Sequence, residues 1–383
     1  MDPDDETRPD LLEQAHQALQ DLLGPGWEVA VQTEGHSRGD SGIDARIHVR
    51  ASDGMFVPLL VSLRERLTPK EVAAVLAPRA DLVRQVDQVA RLMVISPWIS
   101  PMSQQELRSR DIDYLDLTGN VSLRVNRPAI VIQMQGEQRA PAGYRQPASK
   151  PALTGLKAAR LVRLLADVRP PYRATDLAHH AELSVPYVSR LLDSLEDQLL
   201  IHRDGKIVSD VDWQALIRER ARQTDLLRTT EPIGMLAPNG VPAVRDRLRD
   251  FHRDGMGEYR REVLVTGSYA ARSFAPVSVG GQLMLYVQEH PMNADRVADE
   301  LGLLPVSEGA DVLLLRAKDR SIWERPMEIS GVWQVGLSQL ALDCLSGPGR
   351  MPAEGEAVLE FMAAHEPSWR GPDLSSSHRT AVF

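Results

Sequence analysis

The chain has 383 residues, with 44 Lys and Arg against 53 Asp and Glu, a formal charge of −9, 43% apolar residues and 25% charged ones. No apolar run approaches the ~20 residues that span a bilayer, so a membrane is not expected as a partner. The acidic start Met1-Asp2-Pro3-Asp4-Asp5-Glu6 is the opposite of a secretory leader, and the one cysteine, Cys344, forms no internal disulfide; a cytoplasmic, nucleoid-associated location is expected.

Elements follow in chain order. An amphipathic helix over 11–23 stops at Gly24-Pro25-Gly26. Strand-like segments at 27–32, 43–50 and 55–63 precede a helical stretch at 69–90, with a break or kink expected at Pro78. A buried strand at 92–96, a helix at 103–108 and strands at 114–116, 121–125 and 130–134 complete a mixed α/β domain over 1–138. The order has the restriction-endonuclease-like pattern, which needs an acid at one strand end and Glu-x-Lys on the next strand to hold magnesium and orient water. Asp44 suits the first place, but Ser62 and Arg64 occupy the Glu and Lys places, and Glu65 alternates to the other sheet face. A hydroxyl does not replace a metal-binding carboxylate, so the domain is expected to be a degenerate scaffold. The string Asp113-Tyr114-Leu115-Asp116-Leu117-Thr118-Gly119-Asn120 could be a ligand corner. The favoured reading is a strand entering a tight turn, with positive φ at Gly119 and Asn120 and Asp116 bonded to nearby amides.

Residues 139–153 form a basic linker. From Arg139 to Arg173 stand eight cations (Arg139, Arg145, Lys150, Lys157, Arg160, Arg163, Arg169, Arg173) against Asp167 alone. Distribution outweighs net charge where a polyanion is concerned.

The region 154–222 carries the strongest signal, a winged helix-turn-helix. An apolar-periodic helix (Leu156, Ala159, Leu161, Val162, Leu164, Leu165) stops at Arg169-Pro170-Pro171, and a short helix follows at 175–181. After the turn Glu182-Leu183, Ser184 caps a third helix at 185–199, where Val188, Leu191, Leu192, Leu195 and Leu199 point inward. Pro186, Tyr187, Ser189, Arg190 and Asp193 then face outward, where a recognition helix meets base edges. A hairpin at 201–208 has Asp204-Gly205 at its tip, flanked by Arg203 and Lys206. Double-stranded DNA is the expected partner. Tyr187, Ser189 and Arg190 are assigned to bases, Arg173, Ser184, Arg203 and Lys206 to phosphates, and Pro186 to the same surface.

In the region 223–365, the strand Val263-Leu264-Val265-Thr266 runs into Gly267-Ser268, and a second strand occupies 282–287. Nucleotidyltransferases use this layout with two acids on the second strand to hold two metals. Gln282 and Met284 stand in the acid places, so this α/β domain is expected to lack catalytic acids. Further helices are expected at 295–301, 339–345 and 353–364, strand at 312–315, and a mobile tail at 366–383. His179 and His180 diverge on one helix while His202, His252 and His290 lie in different elements, so no metal, cofactor or catalytic residue is expected.

The whole is thus an α/β multi-domain chain, and its order of parts resembles the AbiEi-type antitoxins of type IV toxin–antitoxin systems, a bacterial group of winged-helix regulators. The resembling strings are Val61-Ser62-Leu63-Arg64-Glu65-Arg66-Leu67-Thr68-Pro69, Ile99-Ser100-Pro101, the run 111–120, the helix-turn-helix, 335–343 and Pro348-Gly349-Arg350. The resemblance covers most of 40–365 and implies a DNA-binding repressor, in some members paired with a nucleotidyltransferase toxin. Many relatives carry the fuller Glu-x-Lys that Ser62 and Arg64 interrupt. The expected function is a sequence-specific transcriptional regulator with non-catalytic flanking domains. The rivals are an antitoxin that binds a partner toxin and a nuclease with an atypical site; a homodimer, or a partner that is another regulator, is also considered.

Overall fold

The computed structural model describes residues 4–33, 42–142, 144, 153–254, 262–277, 280–288 and 293–376. The chain divides into two compact units, one built on 1–148 and one on 149–383, with the turn 196–199 grouped with the first. The central module and the C-terminal sheet thus belong to one unit.

The first unit is a seven-stranded sheet whose spatial order follows the chain: β1 (Trp27–Thr33), β2 (Ala45–Ala51), β3 (Phe56–Leu63), β4 (Arg91–Ser96), β5 (Asp113–Asp116), β6 (Val121–Val125) and β7 (Ile130–Met134). The neighbours β3, β4 and β5 run parallel, and the remaining pairs are antiparallel. Both parallel connections cross over through helices, at Pro69–Val86 and Pro101–Ser109. Alternation along β4 explains its unbroken apolar sequence. Met93 and Ile95 pack with Leu11, Ala15 and Leu19 of the helix Asp4–Leu23, while Leu92 and Val94 pack with Val72, Leu76 and Leu107 on the opposite face. The helix after β3 does not break at Pro78. Val72–Leu76 winds as a π-helix just before Ala77–Val86, a local widening that lets the chain continue past a residue with no amide hydrogen.

The second unit begins with the winged module. Helices Leu156–Asp167, Ala174–His180 and Val185–Asp197 accompany a three-stranded wing of β8 (Tyr172–Arg173, between the first two helices), β9 (Ile201–Asp204) and β10 (Ile207–Val211), in the order β8-β10-β9. Asp212 then caps the helix Trp213–Arg222, its Oδ1 accepting from the Ala215 amide at 2.9 Å. A seven-stranded mixed sheet follows, in the order β14-β11-β15-β13-β12-β17-β16. Its strands are β11 (Ile233–Leu236), β12 (Val263–Thr266), β13 (Leu283–Gln288), β14 (Leu304–Pro305), β15 (Val312–Ala317), β16 (Met327–Ile329) and β17 (Val332–Gln334). Helices Leu337–Leu345 and Met351–Ala364 pack as a pair beyond it.

The expectation of a mobile tail from Glu366 does not hold as far as Ser376. Glu366–Trp369 is helical, and Trp369 is buried edge-on against Trp213 with ring centroids 5.0 Å apart. Gly371 exchanges backbone hydrogen bonds with the end of the first module helix, donating to Asp167 O (2.7 Å) and accepting from Arg169 N (2.9 Å). Two aromatic rings more than 150 residues apart supply the apolar contact that a composition reading of this segment misses. Residues 377–383 lie outside the described residues.

Candidate nucleic-acid interface

The third module helix starts cleanly because the second one stops in a left-handed residue. Glu182 has φ 52°, with Glu182 N donating to His179 O and Leu183 N to Ala178 O. The Ser184 carbonyl then accepts from the Val188 amide at 3.1 Å. Val188, Leu191, Leu192 and Leu195 are buried as their spacing requires. Leu199 is not: the helix ends at Asp197, Leu199 takes φ 57° and is 43% exposed, and Leu200 fills the core instead. A left-handed residue shifts the facing of everything after it, so extrapolating the helical spacing fails there.

Of the residues assigned to DNA, Ser184, Pro186, Arg190, Lys206 and Arg173 are exposed. Ser189 and Tyr187 are half-buried. The Tyr187 ring sits 6.0 Å from Lys157 Nζ, and burial holds its hydroxyl above the usual phenol pKa. The wing turn is Gly205-Lys206, with Gly205 at φ 64° and Asp204 paired to Ile207, so Lys206 rather than Asp204 stands at the tip. β8 was not legible in the sequence, and it matters: Arg173 pairs in register with Ile207, next to Lys206. The two exposed cations therefore lie at the same end of the wing sheet, Arg173 on its edge strand β8 and Lys206 in the turn that enters β10, a placement that suits backbone phosphates.

Arg203 departs from its assignment. Its Nη2 lies 2.7 Å from Asp193 Oδ1 on the recognition helix, so wing and helix are latched by the pair that sequence reasoning placed at the DNA surface. Much of the basic stretch is likewise consumed inside the protein. Arg160 pairs with Asp319 (2.7 Å), buried Arg163 donates to the carbonyls of Ser321 and Glu324, and Arg169 faces Glu366 at 3.6 Å. Arg145 and Lys150 lie outside the described residues. Lys157, counted in the basic stretch but given no DNA contact of its own, is exposed beside Tyr187.

The flanking sheets hold their motif residues in structural contacts. In the first unit, Asp44 Oδ2 accepts from the Leu63 amide (2.8 Å), buried Ser62 Oγ donates to Gly42 O (3.1 Å), and Arg64 Nη1 donates to Leu63 O (3.0 Å). β3 ends at Leu63, so Arg64 and Glu65 lie past the strand and the alternation argument does not reach them. Asp116 forms the backbone-amide turn: Oδ1 accepts from Thr118 N, Thr118 Oγ1 and Asn120 N, and Oδ2 from Ile99 N and Asn120 Nδ2, all within 3.0 Å. Gly119 supplies the positive φ (94°) but Asn120 does not; its side chain instead bonds Glu137 O, Gly136 N and Gln138 Nε2. In the second unit, Gln282 donates to Ala310 O (2.8 Å), Met284 is buried against Gly267, and Ser268 Oγ bonds Glu354 Oε2 (2.5 Å). His290 lies outside the described residues.

Comparison with known proteins bears on the module alone. Residues 156–205 match the IclR helix-turn-helix domain. No curated protein matches the chain. A solved structure of EndoMS in apo form aligns with 28% of this chain at 15% identity and a TM-score of 0.21; the match spans 45% of that chain, and at this score it carries no argument about fold. The chain is a mixed α/β protein with a central helix-turn-helix of the DNA-binding, transcription-regulator type between two β-sheet regions, and no helix among the described residues is long and apolar enough to cross a membrane.

Proposed function

We propose that the chain is a transcriptional regulator that reads duplex DNA with the helix Val185–Asp197 and clamps it with the wing. The observation that carries this reading is an exposed Arg190, with no ion pair among the described residues, in a module whose wing carries exposed Arg173 and Lys206 and which is matched to the IclR helix-turn-helix domain. Arg190 suits a guanine edge by bidentate donation, and Ser189 the neighbouring base. Arg173, Lys206 and the Ser184 hydroxyl serve phosphates. Tyr187, half sunk in the module, contacts DNA with its ring edge and positions Lys157. Two copies on paired half-sites give the arrangement such modules use on palindromes.

The flanking sheets are proposed to be non-catalytic, a reading supported by the internal bonding of Ser62 and the burial of Met284 at the places where metal-binding acids would stand. Selection of a bound duplex from a random pool followed by anisotropy titration tests the main reading. Arg190→Ala is expected to lose about 1–3 kcal/mol on the selected site and to relax preference at one base. Unchanged affinity and preference would remove the assignment. Magnesium-dependent plasmid cleavage, or transfer of a labelled nucleotide, abolished by Asp44→Ala or Ser268→Ala respectively, would overturn the non-catalytic reading.

A further inference from the structure

The helix Trp213–Arg222, packed against the first module helix and the helix Leu337–Leu345, buries Trp213, Leu216, Ile217 and Ala221 on one face. Arg220 lies on that same apolar face and is only 5% exposed. Its Nε and Nη1 have no hydrogen-bond partner, and among the described residues no carboxylate pairs with it. Burial lowers its pKa to about 10, the direction expected of a cation held without a counter-charge. A guanidinium in that condition is costly unless something else meets it.

Arg220 lines a cavity of about 70 Å³ with Thr224, Thr230, Lys318, Gln339 and Ser346. That volume holds two waters or one small oxyanion. The other charges in the lining are already answered within the protein. Asp319 pairs with Arg160, Lys318 and Arg316 reach Glu231, and Asp343 accepts hydrogen bonds from Thr266, Tyr286 and Gln339. Arg220 is the exception. The cavity is also lined by Leu156 and Ala159 of the first module helix, against which the helix Trp213–Arg222 packs. The latter helix follows β10 of the wing after Asp212 alone.

We propose that Arg220 anchors a pocket for a small oxyanion, the carboxylate or phosphate group of a metabolite, and that occupancy is transmitted to the winged module through the first module helix and the helix Trp213–Arg222. A guanidinium can donate to an anion's oxygens in pairs, a geometry that lysine cannot reproduce. Transmission to DNA rests on the regulator reading given above; anion binding does not.

The test uses the full chain without DNA, titrated separately with inorganic phosphate and with acetate at constant ionic strength against chloride. Calorimetry and the thermal midpoint are the readouts. One of the two anions is expected to bind saturably with a dissociation constant below about 10 mM, and which one identifies the head group. Arg220→Lys is expected to weaken it about tenfold or more, and Arg220→Met to abolish it. Absence of saturable binding by either anion, or equal affinity in wild type and Arg220→Lys, overturns the pocket. If Arg220→Met does not fold, the Arg220→Lys comparison decides alone. In the DNA arm, the saturating anion is expected to change duplex affinity at least about threefold in wild type and not in Arg220→Lys. Anion binding with unchanged affinity for a duplex that the chain does bind overturns the transmission and keeps the pocket, whereas failure to bind any duplex overturns the regulator reading and leaves the pocket standing.

Discussion

At the end of β5 the Asp116 carboxylate accepts five hydrogen bonds, and the neighbouring Asn120 side chain is equally occupied. On the helix Trp213–Arg222, Arg220 is as deeply buried and leaves two of its nitrogens with nothing to bond. In sequence the acid corner is the more conspicuous of the two, yet its bonding is complete and internal. The arginine is a single charge on an apolar helix face, and it is the group that asks for a ligand. Buried polar groups that are fully bonded rigidify a fold, while one left unmet is a place where function enters.

The largest test of this contrast is Asp116→Ala. It strands several buried donors together and is expected to cost about 3–5 kcal/mol in urea unfolding, with duplex affinity per folded molecule unchanged. A loss below about 1 kcal/mol would mean that the corner is not a structural staple. Arg220→Met, in the absence of added anion, is expected to move stability the other way, raising it by about 1–2 kcal/mol because an unpaired buried charge is removed. Destabilisation of that size would show that the guanidinium is satisfied in solution.

A second pair of side chains sharpens the same distinction at the surface. Lys206→Ala is expected to weaken binding across all duplex sequences and to reduce the salt slope by about 1. Arg203→Ala is expected to leave the slope unchanged, because its charge is held by Asp193 at 2.7 Å. Equal slopes for the two variants would mean that the latch opens on DNA.

The smallest effects lie in pH dependence, where two buried groups of the second unit pull in opposite directions. Burial pushes the Asp343 carboxyl from its usual 3.8 up to about 6, so the folded state holds a proton that the unfolded state releases, and its contribution to stability falls as pH rises from 4 to 6. His252 goes the other way. Burial lowers it from 6.5 to about 4, and as a neutral ring it donates from Nε2 to Val263 O and accepts at Nδ1 from the Trp333 amide. Its contribution is present above pH 6.5 and is lost as pH falls toward 4. Asp343→Asn should therefore tilt the stability profile between pH 4 and 6 toward greater stability at the upper end, and His252→Gln toward the lower end. Urea midpoints across that interval check both, and tilts of the same sign would contradict the assignment.

The winged module was legible because its evidence is local. Val188, Leu191, Leu192 and Leu195 recur at helical spacing, Pro170-Pro171 stops a helix, and Gly205 marks a two-residue turn. The strands of the first unit were legible for the same reason, down to the ends of β6 and β7. The two-residue strand β8 was not, since nothing local distinguishes it; only its pairing with β10 makes it a strand. Arg220 could have been noticed, as a charge at an inward position between Ile217 and Ala221, had the helix Trp213–Arg222 been read at all.

Sequence alone determined the helices, the hairpin and the outward placement of Arg190, because these depend on side chains within a few residues of one another. The tertiary structure decided which charges remain for a partner. Arg163 finds its acceptors at Ser321 and Glu324, Arg160 its carboxylate at Asp319, and Trp213 its ring contact at Trp369, all over more than 150 residues. A count of cations along the chain cannot see such partners, since an electrostatic field depends on distance in space and not on separation in sequence.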